Sequence, residues 1–131
     1  MVGPNSLASL HVLIVEEDTF QAGIISGILA ALGVLHVTVL DRCPDEDTVE
    51  RFAQRSWDAI VLGMSGEAAS HADAANLVMR LSPARVVVLA GDNGGIDEHF
   101  RVRTAALGYR VILENARTLT FCDLVRYLSD A

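Results

Sequence analysis

Five short, nearly continuous apolar runs separated by helix-like stretches are what most constrains this 131-residue chain. They are His11-Val12-Leu13-Ile14-Val15, then Leu35 to Leu40, Ala59-Ile60-Val61-Leu62, Arg85-Val86-Val87-Val88-Leu89 and Tyr109-Arg110-Val111-Ile112-Leu113. A strand that faces solvent on one side alternates apolar and polar residues. Runs this uniform belong to strands covered on both faces. Between them, helical spacing predicts helices over about 19–32, 46–55, 67–81, 97–107 and 118–129. Asp18 and Thr19 are N-cap candidates for the first helix, Gly33 suits the residue just past its end, and Pro83 ends the third. The order βαβαβαβαβα implies one α/β domain, a doubly wound five-stranded parallel sheet with helices on both faces. Residues 1–9 read as an N-terminal tail and 10–131 as the domain.

Composition narrows the partners. The hydrophobic share, 51%, is ample for a core and argues against disorder. The net charge is −7, so direct nucleic-acid binding and docking on anionic membranes are both disfavoured. Ala22 to Leu40 has no charged residue, but Gly33 and the β-rich run after it break the stretch into helix, turn and strand rather than a membrane span. Met1 to Ser9 carry neither a basic start nor a long apolar run, and Cys43 and Cys122 are isolated, so a cytoplasmic protein with reduced thiols is expected.

Ligands of such a sheet bind at the carboxyl ends of its strands. There the sequence supplies Glu16, Glu17 and Asp18 after strand one, Gly63 after strand three, Ala90, Gly91 and Asp92 after strand four, and Glu114 and Asn115 after strand five. Three carboxylates would repel a phosphate, and no G-x-G-x-x-G or Walker loop is present. The Gly91-Asp92-Asn93-Gly94-Gly95 stretch reads as a surface loop. His11, His36, His71 and His99 are dispersed, and no spacing assembles a nucleophile, base and oxyanion donors, so no enzyme is expected. Trp57 reads as a packing residue.

Val12-Leu13-Ile14-Val15-Glu16-Glu17-Asp18 resembles the opening of bacterial response-regulator receiver domains. Asp58-Ala59-Ile60-Val61-Leu62-Gly63-Met64 resembles their third strand, and Leu107-Gly108 with the following strand resembles their fifth. The resemblance spans about His11 to Leu128. It implies Mg²⁺ held by an acid pair and an acceptor Asp, a Thr or Ser after strand four, a Lys after strand five and a switching aromatic. This chain places Glu16 and Glu17 at the acid pair, Gly63 at the acceptor, Ala90 at the hydroxyl, Val111 at the aromatic and Glu114 at the lysine. Glycine has no nucleophile and Glu114 reverses the charge. All ten basic residues are arginine, so no shift of alignment restores the lysine.

The resemblance therefore implies a degenerate pseudo-receiver: a phosphorylation-independent signalling module of two-component type that acts through protein–protein interaction. Its partner would be a histidine kinase, an effector domain or another regulator. No cofactor is expected beyond weak Mg²⁺ at Glu16 and Glu17. The alternative is a small-ligand or divalent-metal sensor using the acidic pocket. For an interaction surface, the family's pairing face, which supports homodimers, would present Arg101, Arg103, Arg110, Arg117, Asp123 and Arg126. A second candidate is the first helix, whose apolar residues exceed one face and whose Gly23, Gly27 and Ala31 form a stripe.

Overall fold

The computed structural model of the chain describes residues 8–64, 68–90 and 113–115. Its elements are β1 (His11–Val15), α1 (Thr19–Ala31), β2 (His36–Leu40), α2 (Glu46–Phe52), β3 (Ala59–Met64), α3 (Ala68–Leu81), β4 (Arg85–Ala90) and β5 (Leu113–Asn115). All strand pairs are parallel, in the order β2-β1-β3-β4-β5. The expected doubly wound sheet is thus present. The expected fifth strand, 109–113, meets the described residues only at Leu113. The expected helices 97–107 and 118–129 lie outside them.

Successive side chains of a strand point to opposite faces, and here both faces are apolar. Val12 and Ile14 of β1, Ala59 and Val61 of β3 and Val87 of β4 pack with Ile25 and Leu29 of α1. Leu13, Val15, Ile60, Leu62 and Val86 face the other way, against Val49 of α2, Trp57, and Ala74, Ala75, Leu77, Val78 and Leu81 of α3. Burial on both sides is why the runs lack polar alternation. Trp57 is buried, packs tilted on Phe52 with ring centroids 5.4 Å apart, and donates its Nε1–H to the Phe52 carbonyl at 2.8 Å. It is a packing residue, as its position next to strand three suggested.

Local chemistry sets the ends of α1. Asp18 is the N-cap, and its Oδ1 accepts from the Phe20 and Gln21 amides at 2.9 and 3.3 Å. At the other end Gly33 has φ +90°, a conformation costly for any residue with a Cβ. The Gly33 amide bonds the Ala30 carbonyl and the Val34 amide the Leu29 carbonyl, both at 3.0 Å. This is a Schellman closure, and Val34 and Leu29 share the same core cluster. The charge-free stretch therefore divides into helix, turn and strand. Among the described residues no helix is long and apolar enough to cross a membrane.

Cys43 follows β2 and packs, partly buried, against the α2/α3 core. Burial, with Asp73 adding to it, pushes its thiol up to about 11. About one molecule in a thousand then carries the thiolate at pH 8, against roughly a tenth for a cysteine at its ordinary value of 9.0. In a Cys122→Ser variant, iodoacetamide should alkylate Cys43 at least about a hundredfold more slowly in the native protein than in urea. Equal rates would show that the thiol is not shielded.

Candidate functional site

A crevice forms in an open α/β sheet where the chain reverses the direction in which it adds strands. Here β1 leads to β2 on one side and β3 lies on the other, so the reversal falls between the carboxyl ends of β1 and β3. The residues at that point are Glu16 and Gly63.

Glu16 is the first residue beyond β1. Its amide still donates to the Leu40 carbonyl of β2 at 2.9 Å, so its backbone extends the sheet. Its side chain turns inward and back: Oε1 accepts the Asp18 amide at 3.0 Å. The residue is 7% exposed, the one buried charged or polar residue among the described residues. Its carboxylate lies against Gly63. A Cβ built on residue 63 would coincide with Glu16 Oε2 and Cδ. A side chain at residue 63 would therefore have to displace the Glu16 carboxylate, the far end of a flexible side chain, from this space.

Burial raises the Glu16 carboxyl above its ordinary value. The Asp18 amide opposes this, and the charges of Asp18 and Glu17 reinforce it. Glu17, by contrast, is exposed and turned to solvent. The two acids expected to act as a pair therefore occupy different environments.

Other expected site residues are placed by backbone register. Gly63 does not follow strand three as expected; β3 continues through it to Met64. Gly63 pairs with Leu89, and Met64 with Ala90, so pairing with β4 carries the strand past a glycine that by itself signals a loop. Ala90 is the last residue of β4 and pairs with Asn115. Glu114 lies within β5, opposite Leu89, rather than beyond the strand. Val111, Arg101, Arg103, Arg110, Arg117, Asp123 and Arg126 lie outside the described residues.

Mg²⁺ needs near-octahedral oxygen ligands, of which a site of this type takes one or two from carboxylates. Residue 63 supplies none. Glu16 has one oxygen committed to the Asp18 amide and the other packed over Gly63. Among the described residues no three His, Cys, Asp or Glu side chains group so as to hold a metal. The described residues alone do not complete the octahedral site that the resemblance implies.

Beside the crevice lies a groove of about 460 Å³ between α1 and the end of β2, lined by Glu16, Thr19, Ala22, Gly23, Ser26, Val39, Leu40 and Asp41. Asp41 is held at the surface by Arg42 at 3.2 Å. Phe20 is 75% exposed and Val39 46%, and Cβ atoms added at Gly23 and Gly27 would meet open space. Sequence reasoning did not anticipate Thr19, Ser26, Val39 and Asp41 as a lining, because the groove forms only when β2 takes the sheet edge next to α1.

The chain matches no protein-family model and no curated protein. Solved structures match its fold. A response regulator from Burkholderia pseudomallei, solved with a phosphorylated aspartic acid, a calcium ion and citrate, superposes with TM-score 0.66 at 15% identity, covering 93% of this chain and 68% of that one. The receiver domain of the histidine kinase CKI1 from Arabidopsis thaliana, complexed with Mg²⁺, gives 0.60 at 13% identity over 89% and 90% of the two chains. A putative pilus assembly-related protein from Burkholderia pseudomallei K96243 gives 0.63 at 16% identity over 94% and 92%. Identities this low establish a receiver-like fold.

Proposed function

We propose that this chain is a pseudo-receiver: a cytoplasmic signalling module of two-component type that works without aspartyl phosphate, through contact with a protein partner. One observation carries the reading. The Glu16 carboxylate occupies the space over Gly63 in which an acceptor side chain would stand. Deletion of the acceptor is thus coupled to a neighbour that fills its place, as in a site remodelled for a fixed state rather than one that has merely lost a residue. Glu114 in place of a lysine and Ala90 in place of a hydroxyl act in the same direction, since neither can neutralise or hold a transferred phosphoryl group. The reading assigns the protein no catalysis. The exposed, uncharged face of α1 that begins at Phe20 supports a contact surface for a partner.

The test is intact mass after incubation with acetyl phosphate and Mg²⁺, beside an authentic receiver domain. The expected result is no adduct on the native chain. An acid-stable, base-labile phosphoryl adduct would make another carboxylate the acceptor and end the reading.

The groove beside Glu16 favours a second reading, a small-ligand or divalent-metal sensor. It requires a thermal shift with Mg²⁺, Ca²⁺ or Mn²⁺ that disappears when Glu16 and Glu17 are both changed to Gln. No shift at millimolar metal removes the metal form of it.

A further inference from the structure

The other end of the sheet carries a pair of side chains with no part in the crevice. His11 opens β1 and His36 opens β2, and the parallel register sets them directly opposite each other. Their imidazoles stack with centroids 4.3 Å apart and planes 9° from parallel, and both residues are exposed. We propose that His11 and His36 form a two-histidine site for a divalent transition-metal ion of the Ni²⁺, Cu²⁺ or Zn²⁺ class.

Imidazole nitrogens suit these ions and bind at about 2.0–2.1 Å. Two nitrogens on one ion then stand roughly 3.0–3.4 Å apart for coordination angles between square and tetrahedral. In the stacked pair like atoms stand about 1 Å farther apart than this and their lone pairs run parallel, so both exposed rings must turn by roughly 45–55° to converge on one ion. The strands are already paired, so neither backbone must move to bring the ligands together. The neighbouring charge has the right sign. Asp58 binds the His11 backbone on both sides, its amide donating to the His11 carbonyl at 2.9 Å and its Oδ2 accepting the His11 amide at 2.8 Å. A carboxylate thus sits at the same strand ends and favours a cation. Water completes the coordination. A bound ion would tie the edge strand β2 to β1 at the end remote from Glu16.

The site is tested with Ni²⁺ alone on the tag-free full chain near pH 7.5. Calorimetry should give one ion per chain. His11→Gln or His36→Gln should weaken binding by at least about tenfold, because the second ligand of a chelate acts at high effective concentration. His71→Gln and His99→Gln should leave it unchanged. On the native chain, paramagnetic Ni²⁺ should broaden the imidazole resonances of His11 and His36 before those of His71 and His99, a readout that needs no variant to fold. Binding that survives His11→Gln, or no binding at millimolar Ni²⁺, overturns the proposal.

Discussion

An aspartate placed at residue 63 is expected to destabilise the protein by displacing the buried Glu16 carboxylate. Gly63→Asp should cost about 2–3 kcal/mol, several degrees in Tm, because its Cβ would push the Glu16 carboxylate out of the crevice and off the Asp18 amide. The new side chain would also bring a second carboxylate into a crevice that already buries one, and among the described residues neither has a cation to pair with there. Gly63→Ala isolates the steric part and should cost about 1–2 kcal/mol. Adding Glu16→Ala to Gly63→Ala should recover most of that loss, giving a coupling energy of about 1–2 kcal/mol in a double-mutant cycle. Strictly additive losses would place the Glu16 side chain elsewhere. For the phosphorylation test the consequence is practical: an aspartate at residue 63 is a fair control only when Glu16 is trimmed at the same time.

Glu16 itself is expected to make the protein less stable as pH rises. Its folded value is raised above the ordinary 4.5, chiefly by burial, so between the two values the folded state holds more protons than the unfolded chain. Stability from this group is fully present below the unfolded value and is lost as pH rises through the folded one. Glu16→Gln keeps an oxygen for the Asp18 amide, removes the charge and keeps the shape. At pH 7–8 it should therefore stabilise the protein, by about 1 kcal/mol or a few degrees in Tm. Below pH 4 the gain should vanish. Denaturant melts of both proteins, followed by emission of the single tryptophan, Trp57, across pH 4–8 measure the difference. A variant less stable than the native protein at pH 8 would show that the ionised carboxylate has a favourable partner, and the crevice would then be a charge-binding site.

Much of the architecture could be read directly from residue order. The apolar runs at 11–15, 59–62 and 85–89 announce strands buried on both faces, because no other element takes so many consecutive β-branched residues between helices. Asp18 and Gly33 mark the ends of α1 for purely local reasons, a side-chain acceptor for free amides and a φ that glycine alone adopts easily. The glycine at 63, the alanine at 90 and the glutamate at 114 were visible as departures from the pattern that the receiver resemblance implies, since side-chain identity is a property of sequence.

What could not be read is where those side chains lie relative to one another. Glu16 and Glu17 are adjacent acids, equivalent to any rule of spacing, and both were expected as metal ligands. The fold separates them: Glu17 stays in water, while Glu16 is drawn into the crevice by the Asp18 amide and the space that Gly63 leaves. Likewise His11 and His36 look dispersed until β2 pairs with β1 in a register that sets them face to face. The contacts of Glu16 with Gly63 and of His11 with His36 each join residues more than 20 positions apart. Local propensity carries no information about such pairs, and only the packing of the sheet, fixed by its two apolar faces, brings them into contact.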